Sequence, residues 1–213
     1  MQSIALIDYG SGNLRSAEKA LIKASQALDG ERLVVTTADP EVIARADRVV
    51  LPGVGAFAAC MGAVSARPGL TEAMDEAVHR RGAPFLGICV GMQLLASRGL
   101  EFGETPGLSW IGGDVRRLEP DAARFKVPHM GWNDLILARP HPLFAGIEAA
   151  PMYFTHSFAL FPTDPADTLA QVDHGGRVVA AVARGNLAGV QFHPEKSQAA
   201  GQRLLANFLD WRP

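Results

Sequence analysis

Hydrophobic positions along this chain fall first into short apolar runs alternating with amphipathic stretches. The runs at 3–7, 32–36, 49–51 and 84–88 have the composition of strands buried on both faces. Residues 14–27 and 71–81 repeat apolar side chains at helical spacing, and residues 90–97 resume that spacing directly after the fourth run. This alternation predicts an α/β fold with a central, mostly parallel sheet and helices on both faces. In such a sheet the active residues belong at the carboxyl ends of the strands. Beyond residue 108 the pattern changes to strand-like pieces at 108–118, 134–137, 152–160, 168–172 and 177–183, separated by Gly, Pro and Asn, which predict additional antiparallel strands. A helix over about 198–211 closes the sequence. No repeat, linker or low-complexity segment interrupts it, so residues 1–213 are expected to form one domain.

The fourth apolar run ends on a cysteine between two glycines, Gly87-Ile88-Cys89-Val90-Gly91. Glycines two before and two after Cys89 permit a tight strand-to-helix turn that lifts the side chain out of the sheet. A free thiol has a pKa of about 8.5, and helix N-terminal N–H groups or a neighbouring imidazolium favour the nucleophilic thiolate. A buried structural cysteine is the competing reading, since free Cys also behaves as a small hydrophobe.

A second segment, 187–196, is a short strand running into His193-Pro194-Glu195. Residues two apart in extended chain project to one side, so Glu195 reaches His193 and holds its imidazole in one tautomer, with Pro194 stiffening the spacing. Cys89 as nucleophile, His193 as general base and then acid, and Glu195 as the orienting carboxylate complete a triad. A plain turn before the last helix, capped by Ser197, is the alternative. A third strand enters a glycine-bracketed turn, Pro52-Gly53-Val54-Gly55. Backbone N–H groups of Val54 and Gly55, with that of Val90, can face a developing oxyanion, although an ordinary β–α turn uses glycine too.

Together these segments resemble the class I (triad) glutamine amidotransferases, over essentially the whole chain. Within that group the resemblance is to the glutaminase subunits of imidazole glycerol phosphate synthases. It is carried by residues 7–14 (Ile-Asp-Tyr-Gly-Ser-Gly-Asn-Leu), 52–57, 87–95 and 128–133 (Pro-His-Met-Gly-Trp-Asn), the last being the most discriminating. The resemblance implies that glutamine is hydrolysed to glutamate and ammonia through a thioester on Cys89. It further implies that Gly53, Gln93, Glu101, His156, Ser157 and Phe158 surround the substrate. Trp132 and Lys196 would lie at the interface with a partner, a β/α-barrel cyclase in a heterodimer. That cyclase uses the ammonia to make imidazole glycerol phosphate and AICAR. No cofactor is implied. Phe158 stands where relatives often have Tyr, and Arg98-Gly99-Leu100 replaces a more acidic stretch. Taken as residues alone, Gln93 could face solvent, Glu101 could be a loop charge and His156 a packing histidine. A paralogue serving surface-sugar biosynthesis, or a non-catalytic binding homologue, is the alternative. A peptidase or deglycase on a similar fold would often carry His after the nucleophile, where this chain has Val90.

Composition bounds the rest. The 213 residues are 48% hydrophobic, enough for one large core. A net charge of −2 gives no basic patch for nucleic acid. Two cysteines make no disulfide framework, Met1-Gln2-Ser3 lacks the regions of a signal peptide, and no apolar run reaches spanning length, so a cytoplasmic location is expected. The Gly-x-Gly at 10–12 lacks the third glycine of a dinucleotide site, Arg15 standing there. His129, His156 and His174 are too scattered for metal-ligand spacing. Cys60 is expected to be structural.

Overall fold

The computed structural model describes residues 1–121 and 123–213. Strand and helix alternate through the first half: β1 (Gln2–Ile7), α1 (Leu14–Gln26), β2 (Arg32–Thr37), α2 (Pro40–Arg45), β3 (Arg48–Gly53), α3 (Phe57–Ser65) and α4 (Leu70–Asp75). A π-helical turn at Glu76–Arg80 extends α4 before β4 (Phe85–Cys89) and the short α5 (Val90–Gln93). The strand-rich half follows with β5 (Arg98–Gly99), β6 (Thr105–Pro106), β7 (Gly113–Arg117), β8 (His129–Asp134), β9 (Ile136–Leu137), β10 (Pro151–His156) and β11 (Phe158–Pro162). The chain ends with β12 (Thr168–Asp173), β13 (Arg177–Arg184), β14 (Leu187–Val190) and α6 (Gln198–Asp210).

The main sheet has the order β2-β1-β3-β4-β14-β13-β12-β9. Its first five strands are mutually parallel and the last three are antiparallel additions, the mixed architecture that the alternation implies. Every residue of β3, β4 and β14 is buried, which is why, apart from Arg48 at the start of β3, these strands read as apolar runs. α1 buries Ala17, Ala20, Leu21 and Ala24, one stripe at helical spacing, and packs against α6. Two smaller sheets, β8 with β10 and β11-β7-β5-β6, accompany the main one.

Several expected elements differ. The helix expected over 90–97 stops at Gln93, because Leu94, Leu95 and Ala96 offer their carbonyls to the N–H groups of Leu108, Trp110, Ile111 and Ser109 rather than to a further helical turn. The strand expected over 152–160 is two strands broken at Ser157, one pairing with β8 and the other with β7. The piece at 108–118 shrinks to β7, and the Pro-His-Met-Gly-Trp-Asn run supplies β8, a strand absent from the hydropathy pattern. Helix α2 is also additional, although its start signal is present in Asp39-Pro40: the Asp39 carboxylate accepts the Glu41 N–H at 2.9 Å.

Register sets the site. Gly53 is paired with Cys89 across β3 and β4, and Val190 with Ile88 across β14 and β4. Three carboxyl ends therefore lie side by side, delivering the Gly53–Gly55 turn, Cys89 and the Gln191–Glu195 segment to one rim. No helix among the described residues is long and apolar enough to cross a membrane.

Candidate active site

Cys89 has φ +55° and ψ −113°, a left-handed conformation that L side chains rarely adopt. The strain persists because the turn around it is packed solid. A Cβ on Gly87 would stand 2.5 Å from the Gly91 carbonyl oxygen, and one on Gly91 would stand 1.9 Å from that of Leu51. Only glycine lets α5 fold back so tightly onto β3 and β4. The expected tight strand-to-helix turn is thus present, but α5 is a single turn, so the elbow itself rather than a long helix defines the surroundings of the sulfur.

His193 and Glu195 are joined by a 2.8 Å bond from Nδ1 to Oε1, with both side chains nearly excluded from solvent. Burial opposes a charged imidazole here. Hydrogen bonding to Cys89 and Glu195, and the charge of both, outweighs burial and lifts His193 to about 9. The Glu195 Oε2 atom is buried with no hydrogen-bond partner among the described residues, so within them the carboxylate bonds through the oxygen that faces His193. The His193 backbone is fastened as well. Its N–H donates to the Tyr153 carbonyl at 2.9 Å, and the Ser197 hydroxyl donates to its carbonyl at 2.7 Å. Ser197 therefore does not cap α6 with its side chain, as a plain turn would have it; its hydroxyl also accepts the Tyr153 N–H at 3.0 Å and locks the triad segment to β10.

One cavity of about 350 Å³ gathers these groups. Cys89, Val90 and His193 line it, with Val54 and Gly55 from the turn after β3 and Lys196 beyond the triad. Gln93, Glu101, His156, Ser157 and Phe158 line it too. Gly53 is buried against the elbow instead, where a Cβ would lie 2.8 Å from the Gly91 nitrogen. A larger cavity of about 570 Å³, lined by Arg116, Arg117 and Arg177, contains none of the expected catalytic residues, which makes the smaller one the candidate site.

The turn after β3, the candidate oxyanion turn, has a support that sequence reasoning missed. The Val54 carbonyl accepts the Ser11 hydroxyl at 2.7 Å and the Cys60 thiol at 3.4 Å. In a trans peptide C=O and N–H point opposite ways, so this latch aims the Gly55 N–H away from Ser11 and Cys60. The Gly-x-Gly at 10–12 serves that same contact, since a Cβ on Gly12 would meet the Pro52 ring at 3.2 Å. Cys60 is buried, as expected of a structural thiol.

Gln93 is buried rather than solvated, and its Nε2 donates to the Phe158 carbonyl and to Gln191 Oε1, both at 3.0 Å. Glu101 accepts the Phe57 N–H at 2.8 Å through Oε2, at the start of α3. His156 packs against His129 with a 3.0 Å ring-nitrogen contact. Gln191, which is completely buried with Nε2 3.8 Å from Cys89 Sγ, was not foreseen as part of the site. Its only signal was its place at the end of the strand leading to His193.

Trp132 is half exposed on the outer face of β8 and meets Tyr153 edge-on, with ring centroids 5.9 Å apart. Lys196 Nζ lies 5.8 Å from the centre of the same Tyr153 ring. The two expected interface residues thus share one aromatic neighbour beside the cavity. Among the described residues, no group of three or more His, Cys, Asp and Glu side chains gathers as a metal site would.

The chain matches the family model of glutamine amidotransferase class I over residues 5–211. A Caulobacter vibrioides protein named imidazole glycerol phosphate synthase subunit HisH is 63% identical over the full length of both chains. Proteins of the same name from Ruegeria pomeroyi and Rhodospirillum rubrum are 54% and 55% identical, over 98% and 99% of this chain and 99% of each relative. Among solved structures, one titled as a glutamine amidotransferase superposes with a TM-score of 0.69 at 18% identity, covering 97% of both chains. A putative GMP synthase protein from Thermoplasma acidophilum gives 0.65 at 20% identity, covering 99% of this chain and 93% of that one. At such identities the likeness concerns the fold, which is the same mixed α/β architecture. With the family model spanning nearly every residue and relatives above half identity end to end, this chain belongs to the class-I glutamine amidotransferases, in the group of the imidazole glycerol phosphate synthase HisH subunits.

Proposed function

We propose that the chain, as one amidotransferase domain, is the glutaminase subunit of an imidazole glycerol phosphate synthase, in which glutamine's amide nitrogen leaves as ammonia for a cyclase partner. The observation that carries the reading is the convergence of Cys89, His193 and the Val54–Gly55 turn on one cavity, at the ends of three neighbouring strands, with Glu195 bonded to His193.

The geometry supports the following chemistry. Glutamine's side-chain amide lies over Cys89, and the sulfur attacks the amide carbon, placing negative charge on its oxygen. N–H groups of Val90 and the Val54–Gly55 turn receive that oxyanion. His193, which retains its proton at neutral pH, passes it to the departing nitrogen, so that ammonia leaves and a thioester remains. Water then attacks the thioester while His193 takes the water's proton, releasing glutamate and restoring the thiolate. Glu195 holds the imidazole throughout.

Substrate recognition rests on hydrogen-bond polarity. Both N–H bonds of the Gln93 amide are engaged by Phe158 and Gln191, so only its oxygen is free to bind a ligand. That oxygen can accept but not donate, and the Glu101 carboxylate, which lines the same cavity, is likewise an acceptor. Together they suit the α-ammonium end of glutamine. Ser157, His156 and Phe158 line the same cavity, with the Phe158 carbonyl bonded to Gln93.

Ammonia set free in water would protonate and diffuse away. A β/α-barrel cyclase docked over Trp132, Tyr153 and Lys196 in a heterodimer would receive it through a protected path. The relatives' shared name, which makes each of them one subunit of a synthase, supports a partner on a second chain. A cytoplasmic location fits a biosynthetic protein in which no helix among the described residues is long and apolar enough to cross a membrane. The decisive experiment is Cys89→Ala in the complex with the cyclase. Glutamine-dependent synthesis is expected to vanish while ammonium salts still support it. Retention of glutamine hydrolysis by this variant removes Cys89 as nucleophile.

A further inference from the structure

A line of polar side chains runs from the exposed strand β8 to the sulfur, and its donor and acceptor directions are fixed by a single atom. The Phe158 carbonyl oxygen can only accept. Two groups reach it: His156 Nδ1 at 2.9 Å and Gln93 Nε2 at 3.0 Å. Each must therefore present an N–H. For His156 this leaves Nε2 without a proton in the neutral ring, so His129 Nδ1, 3.0 Å away, must be the donor between the two histidines. His129 Nε2 is then an acceptor, and Asn133 Nδ2 supplies it at 3.2 Å while also donating to the Asp173 carbonyl at 2.9 Å.

On the other arm, the second N–H of Gln93 points to Gln191, so the Gln191 atom facing it must be oxygen. The Gln191 NH₂ group is thereby turned toward Cys89 Sγ, 3.8 Å away. Reversing Gln93, Gln191 or either histidine ring would set two donors or two acceptors face to face at a buried contact, which costs about 1–3 kcal/mol per unmade bond.

We propose that Asn133, His129 and His156 are positioning residues for the glutaminase reaction, which through the Phe158 carbonyl hold Gln93 and Gln191 so that the Gln191 amide donates to the Cys89 sulfur. The inference deepens the proposed function and rests on Cys89 being the nucleophile.

Strand alternation places this machinery. His129, Gly131 and Asn133 face inward on β8, whereas Met130 and Trp132 face out. The strand thus carries the exposed aromatic on one side and the start of the polar line on the other. The ring of His129 is stacked between Phe154 and His174, with centroids at 4.7 and 4.1 Å, which fixes its plane. Burial lowers both histidines, His129 to about 3 with help from His156 and His174, and His156 to about 4, so both rings are neutral near pH 7, as the line requires.

The ¹⁵N spectrum of the histidine side chains in the full chain at pH 7.5 reads the tautomers directly. Both His129 and His156 are expected as the Nδ1–H form, whereas an unconstrained neutral imidazole favours Nε2–H. Finding Nε2–H or an imidazolium at either position overturns the proposal, and this readout needs no variant and does not depend on Cys89.

The functional arm compares His129→Phe, which keeps a ring in the stack but removes the donor, with His129→Asn, which restores an N–H near the Nδ1 position. In the complex with the cyclase, His129→Phe is expected to lower glutaminase kcat about tenfold and raise KM for glutamine, and His129→Asn to recover most of both. Gln191→Met should slow alkylation of Cys89 by iodoacetamide about tenfold at the same pH. If His129→Phe loses only thermal stability, with kcat and KM unchanged, the positioning role is wrong. A Cys89→Ala control that still hydrolyses glutamine would instead reject the nucleophile, whatever the tautomers.

Discussion

Gly91 offers the most severe test of how the nucleophile is mounted. A methyl group at this position would stand 1.9 Å from the Leu51 carbonyl oxygen and 2.9 Å from its carbon. A relaxed carbon-to-oxygen contact needs about 3.3 Å, so Gly91→Ala forces a separation of about 1.4 Å. The neighbour is backbone inside a fully buried strand, with no side chain to rotate aside. Overpacking costs about 1–3 kcal/mol where the surroundings can adjust. Here the upper end is expected, about 3 kcal/mol, which for a chain of this size lowers the melting temperature by about 6–12 °C. The displacement moves α5 and the Val90 N–H relative to the turn after β3, so the sulfur and its oxyanion donors separate. A misplacement of about 1 Å at reacting groups can cost about 100-fold in rate. The assay pairs thermal unfolding with glutamate release in the complex. Gly62→Ala is the control: it lies inside α3 with nothing within 4 Å of the added methyl, and should stabilise by up to about 1 kcal/mol. If Gly91→Ala melts and turns over like the parent, the close approach of α5 to β3 is not what holds the elbow.

His193→Ala is expected to suppress thioester formation severely, with Glu195→Gln retaining more activity because it loses charge but keeps shape; equal and negligible effects in a rapid-quench assay would reject the triad. Stability should fall in acid. The folded-state values of His129 and His156 lie below the unfolded value of about 6.5, so their contribution is present above that pH and is lost as pH falls through it toward about 3 and 4 respectively. From pH 7 to 5 the loss is of the order of 3 kcal/mol in urea unfolding, and a flat profile across that window would contradict two neutral buried rings. His193 has the opposite sign: its raised value contributes stability below about 6.5 that disappears as pH rises through about 9, so an alkaline decline should accompany the acidic one. Trp132→Ala and Lys196→Ala should weaken binding of the cyclase or the stimulation it gives, measured as glutamate release with and without the partner; normal binding and response in both would move the docking face elsewhere.

Elements whose cause is local were legible in the amino-acid order. Continuous apolar runs made β1, β3 and β4 legible, because strands buried on both faces need such runs, and the α1 stripe announced one packed face. Gly-x-Cys-x-Gly and His-Pro-Glu were readable for the same reason: the elbow and the 2.8 Å His193–Glu195 bond join residues at most two apart. The resemblance then supplied the family, in which Gln93, Glu101 and His156 had roles that no periodicity could give them. Tertiary structure decided the rest. It stopped α5 at Gln93, because N–H groups from a loop beyond residue 107 take the carbonyls that a longer helix would need. It placed β14 beside β4, about 100 positions later in the chain, and so brought His193 to Cys89. It turned Gln191 toward the sulfur through Gln93, 98 positions away, and faced His129 with His156 across 27. Periodicity reports which face a residue occupies; the partner waiting on that face is fixed only when distant strands pack and their buried polar atoms must all be satisfied at once.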